Sequence, residues 1–197
     1  MSQAKLPEYA AQAKKRVDAF RASLEEESDR GLVLVGGAFL EEELKELLRV
    51  YFALQRRLLN PASQSAQELE NTVKSLFSFQ GGGPLSTFAG KSNLAYALGL
   101  LEKYEFRSLG SFSKLRNKFA HNIESNTLQS PQVVDLVKNF LDSKKVERDA
   151  VADRVAKLAY QLIARTVILS QDDLPAETTL QLLGFARGDP YGLSQKT

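Results

Sequence analysis

Arg116, Asn117 and His121 are the residues of this chain whose types and spacing could do chemistry. They sit in the segment SKLRNKFAHN (113–122). Asn117 and His121 are four apart and share one face of a helix. Arg116 lies beside that face, with a side chain long enough to bend toward His121. A guanidinium neutralises a phosphate and the charge that builds on it in a transition state. An imidazole titrates near neutrality and can move a proton on or off a ribose hydroxyl. The Asn amide can orient either group. Together the three point to phosphodiester cleavage, and Lys114, Lys118 and Arg107 add local positive charge for a nucleic-acid backbone. The same residues also have a structural use. A histidine at a helix end interacts favourably with the helix dipole, and Arg-Asn pairs are common on solvated faces. Spacing alone leaves both uses open.

Other polar groupings read structurally. Ala89-Gly90-Lys91-Ser92 ends like a phosphate-binding loop, but the position that must hold the first glycine is Leu85, and Phe77-Ser78-Phe79 makes a poor preceding strand. Gly81 to Pro84 is expected to be a helix–helix turn. Gly36-Gly37, inside an apolar helical pattern, sacrifices roughly 1 kcal/mol of helix stability per glycine relative to Ala, so its simplest purpose is close approach of a neighbouring helix. Glu25 to Glu27 and Glu41 to Glu43 span too wide an arc to converge on a metal and are expected on solvated faces. Asp29 is the carboxylate singled out as a possible support for the Arg116 site. No metal or cofactor is expected.

The elements that must position these residues are helical. Leu6, Tyr9, Ala13, Val17, Phe20 and Leu24 recur at spacings of three and four. A second helix starts near Ser28-Asp29 and carries GLVLVGGAFL (31–40), apolar on every face, which predicts a central helix. Leu44, Leu47, Leu48, Tyr51 and Leu54 extend it, with Glu41-Lys45 as a favourable surface pair, until Asn60-Pro61. Further helices are predicted over 66–77, from a Ser86 cap to about Leu101, over 108–121, over 131–141 and over 147–170. Residues 122–130 look irregular. The expectation is an all-α, up-and-down helical bundle without a sheet, formed by residues 1–170, followed by a tail of short helix and irregular chain over 171–197.

Bulk composition narrows the function classes. With 197 residues and 43% hydrophobic content the chain can bury one sizeable core. It has no cysteine, which removes disulfides, thiolate metal sites and cysteine nucleophiles. No stretch has the length of a signal peptide core or a membrane span, so a cytoplasmic protein without membrane contact is expected. A net charge of +2 gives no global drive toward nucleic acid, so any such contact must be local. The single histidine excludes sites that need two within one chain.

Two resemblances follow from these residues. Arg116-Asn117 with His121 resembles the signature of the HEPN superfamily of all-α domains. That resemblance implies a metal-independent endoribonuclease acting as a homodimer, whose two-fold axis supplies a second histidine. It implies that Arg116 polarises the scissile phosphate, Asn117 orients it, and His121 is general base or acid, leaving a 2′,3′-cyclic phosphate. Some members carry Tyr two positions after the His; Ile123 stands there in this chain. Separately, SDRGLVLVGGAFLEEELKELL (28–48), PLSTFAGKSNLAYALGLL (84–101) and KLRNKFAHN (114–122) resemble, in order and spacing, the mannitol operon repressor family of bacteria. That second likeness implies transcriptional regulation. No basic helix-turn-helix accompanies it, so it implies action through a protein partner or inhibitor.

Overall fold

The structure, a computed structural model, describes residues 6–57, 64–80, 82–121 and 127–171. Among them are seven α-helices and no strand: α1 (Leu6–Ser23), α2 (Asp29–Arg57), α3 (Gln64–Phe77), α4 (Phe88–Ala97), α5 (Lys103–His121), α6 (Val134–Leu141) and α7 (Arg148–Leu169). The chain is the all-α helical bundle that its periodicity predicts. The Asn60-Pro61 stop and the tail over 172–197 lie outside the described residues.

Helix α4 buries Phe88, Lys91, Ser92 and Ala95 while Ala97, expected in its core stripe, is exposed, but α1 and α7 bury the stripe that their spacing marks. On α1 this is Ala13, Val17 and Phe20; on α7 it is Val151, Val155, Leu158, Leu162 and Ile163. Helix α2 packs against α3, α4, α5 and α7, and α7 in turn against α1 and α6. Segment 31–40 does not disappear on all sides, however. Leu32, Val33, Gly36, Gly37 and Leu40 are buried, but Val35 and Ala38 are exposed, because no described helix covers that face.

The Gly36-Gly37 pair is where the bundle closes. A Cβ on Gly36 would stand 3.2 Å from Val155 Cγ1 and 3.4 Å from Phe112 Cζ. On Gly37 it would stand 2.8 Å from Arg116 Cγ. The two glycines therefore seat α7 and α5 against α2, and that packing offsets their poor helix propensity.

Boundaries shift for local reasons. Ser28 Oγ accepts from Gly31 N at 3.0 Å and starts α2. Thr87, not Ser86, caps α4, accepting from Gly90 N at 3.0 Å. That helix stops at Ala97 instead of Leu101, because Gly99 takes φ +71° and the Leu100 and Gly99 amides bond back to the Ala95 and Tyr96 carbonyls. Helix α5 begins earlier than expected, at Lys103, with the Glu105 carboxylate accepting from the Glu102 amide at 2.6 Å.

Candidate functional site

Helix α5 turns Leu109, Phe112, Leu115 and Phe119 into the core, which leaves Arg116 at the edge of the buried stripe and Asn117, Lys118 and His121 outside. The Arg116 stem lies on Gly37, and its guanidinium reaches along α2 to Glu41, with Nη2 donating to Oε2 at 3.1 Å. The other Glu41 oxygen accepts from Lys91 Nζ at 2.8 Å. Lys91 is only 5% exposed, so this carboxylate is the counter-charge of a nearly buried ammonium. Glu41, Lys91 and Arg116 thus tie α2, α4 and α5 together. They line a recess of about 290 Å³ that also includes Phe77, Phe79 and Leu85.

The structure places the other candidate residues as follows. Asn117 is exposed, and its Oδ1 is 3.5 Å from Arg116 Nη1, the outer limit of a hydrogen bond. His121 is the exposed last residue of α5, and its imidazole forms no hydrogen bond or ion pair with another described residue. Lys114, Lys118 and Arg107 are exposed on α5 and likewise have no ion partner among the described residues. Asp29 stands twelve residues before Glu41 in α2, about 18 Å away at 1.5 Å per residue. Its Oδ2 accepts from Leu128 N at 2.9 Å and its Oδ1 faces Arg148 Nε at 3.5 Å, so it anchors the turn at 127–133 and the start of α7. The carboxylate that meets Arg116 is Glu41.

The acidic run 41–43 departs from its expected solvated face. Only Glu42 is exposed, and it takes Lys45 at 2.9 Å, the partner expected for Glu41. Glu43 is buried and pairs with Arg16 of α1. Burial pushes the Glu43 carboxyl above the usual glutamate value, an effect the Arg16 charge opposes and Glu46 and Glu42 reinforce. The Gly90-Lys91 pair has a structural use, in keeping with the incomplete phosphate-loop motif around it. Gly90 is needed because a Cβ there would lie 1.9 Å from the Pro84 carbonyl oxygen, and Lys91 is spent on Glu41. One signal did mark Glu41: it lies one turn beyond Gly37, on the face opened for close approach. Among the described residues no three carboxylate or imidazole groups converge in a way that could hold a metal ion.

Residues 24–164, well over half of the chain, match the mannitol repressor family. This chain belongs to that family. The matched stretch runs from the turn before α2 into α7, and so contains Glu41, Lys91 and the whole of α5. No match was found among curated proteins or among solved structures.

Proposed function

We propose that the chain is a non-catalytic regulator of the mannitol repressor type, acting through a protein partner and not through a DNA-reading motif of its own. Its membership of the mannitol repressor family supports this reading. The observation that carries it is the Glu41–Arg116 contact. A nuclease needs that guanidinium free to grip a phosphate. Here it is held by a carboxylate that also balances a buried lysine, so the arginine that suggested catalysis has a structural use in joining three helices. The test is complementation of a reporter fused to the mannitol operon promoter. Deleting the gene is expected to raise the reporter several-fold, and both wild type and His121→Ala are expected to restore repression. Failure of a folded His121→Ala protein to restore it would overturn the reading.

A second reading, a metal-independent endoribonuclease acting as a dimer, has one observation in its favour. Asn117 and His121 are both exposed on the same helix face, beside the half-buried Arg116. On that reading a second protomer would supply the other histidine, and phosphate would displace Glu41 from Arg116.

A further inference from the structure

Many basic side chains among the described residues are neutralised by neighbours, and the exposed ones without an ion partner outside α5, Lys15, Arg49, Lys144 and Lys145, are divided among α1, α2 and the turn before α7. Arg16, Arg21, Lys45, Lys74, Lys91, Arg116, Lys138, Arg148 and Arg165 each lie within 4 Å of a carboxylate. Helix α5 is different. Lys103, Arg107, Lys114, Lys118 and His121 are all exposed and have no ion partner among the described residues. Their spacings of four, seven, four and three keep them on one face, and 18 residue steps spread them over about 27 Å. The only acid in α5, Glu105, is buried and taken by Arg165 at 2.8 Å. A net charge of +2 therefore conceals a long uncompensated stripe.

The stripe borders a groove of about 810 Å³ between α5, α6 and α7. Arg154 enters it from α7, with its Nη2 donating to Ser108 Oγ at 3.1 Å. Gly110 lies at mid-stripe, and a Cβ there would meet no atom within 4 Å, so a ligand can approach the backbone. Two acids, Glu102 and Asp142, also line the groove, against Lys103, Arg107, Lys114 and Arg154. Two aromatic rings stand by its α5 end. Tyr104 is 42% exposed while its hydroxyl accepts from Gln161. Tyr96 is 40% exposed and stacks on Phe106 with centroids 4.5 Å apart.

We propose that this face of α5, with Arg154, binds the sugar–phosphate backbone of a single-stranded nucleic acid without cleaving it. Unpaired cations along a line supply the electrostatic term, and exposed rings beside them give bases a stacking surface that an acidic protein would not need. A duplex fits less well. Helix α5 is packed against α2, α4 and α6, so it offers one face and cannot enter a major groove. This proposal does not depend on the regulatory reading, since it concerns binding by the purified chain alone.

The test is fluorescence anisotropy with a labelled single-stranded oligouridylate, followed across a salt series. About four neutralised phosphates predict a log–log salt slope of about −3, at roughly −0.7 per contact. Lys114→Gln/Lys118→Gln, both exposed and therefore compatible with folding, is expected to flatten the slope by about 1.4 and weaken binding at least about tenfold at low salt. Lys14→Gln/Lys15→Gln on α1 removes the same charge and is expected to bind as wild type. Absence of binding at low salt, equal losses in both variants, preference for a duplex of the same length, or stronger displacement by polyglutamate than by unlabelled oligouridylate would each overturn the proposal.

Discussion

At the scale of single residues, the decisive feature is how charge is shared under partial burial. Glu41 faces two cations, but they are not equivalent: the Arg116 side chain is 32% exposed and can turn to solvent, whereas that of Lys91 is 6% exposed and cannot. Glu41→Ala should therefore cost about 2–3 kcal/mol by leaving a buried ammonium unpaired. Glu41→Ala/Lys91→Met should recover most of that, because removing both partners leaves no orphaned charge. Urea denaturation of the two variants measures both. Glu43 has the opposite character. Its Oε2 is buried without a hydrogen-bond partner, and burial holds its folded-state pKa above the unfolded value. Its contribution to stability is thus fully present below about pH 4.5 and is lost as pH rises through the folded pKa. Glu43→Gln should be more stable than wild type at pH 7, with an advantage that shrinks on acidification and vanishes below the usual glutamate range. Denaturation midpoints across pH 4–7.5 would reveal it, and a constant offset would contradict it.

At the scale of helices, glycines set where elements may approach, and their substitution effects should differ in sign. Gly90→Ala places a methyl 1.9 Å from a backbone carbonyl oxygen, which cannot rotate away, so α4 must shift; a loss of at least about 2 kcal/mol is expected. Gly110→Ala meets nothing and sits in a helix, so it should stabilise by about 0.5–1 kcal/mol. Thermal melts of the two variants check this directly. Much of this level was legible beforehand. The three-and-four spacing of α1, α2 and α7 locates their buried stripes, and Gly36-Gly37 announces a close contact. What stayed hidden depends on which way helices face each other. Nothing along the chain says that Glu41 turns toward α4 and α5 while Glu42 takes Lys45, since that choice is made by rotation of α2 about its axis. The early end of α4 was readable in principle: Gly99 is the left-handed stop, and the leucines on either side of it imitate continued periodicity.

At the scale of the whole molecule, family membership and charge distribution carry the account. Residues 24–164 place the chain in the mannitol repressor family, and among the described residues α5 carries a line of five exposed basic side chains without ion partners. The Arg116, Asn117 and His121 group was visible in the sequence as a set of chemical types. Its geometry was not, because the partner that holds Arg116 is 75 residues away in α2. The most direct measurement is incubation of purified protein with structured and unstructured RNA in EDTA, comparing wild type, Arg116→Ala and His121→Ala and recovering the RNA afterwards. A non-catalytic regulator leaves the RNA intact with all three proteins, and Arg116→Ala shows itself only as a lower melting temperature. Cleavage by wild type that survives chelation and disappears in both folded variants would contradict the account.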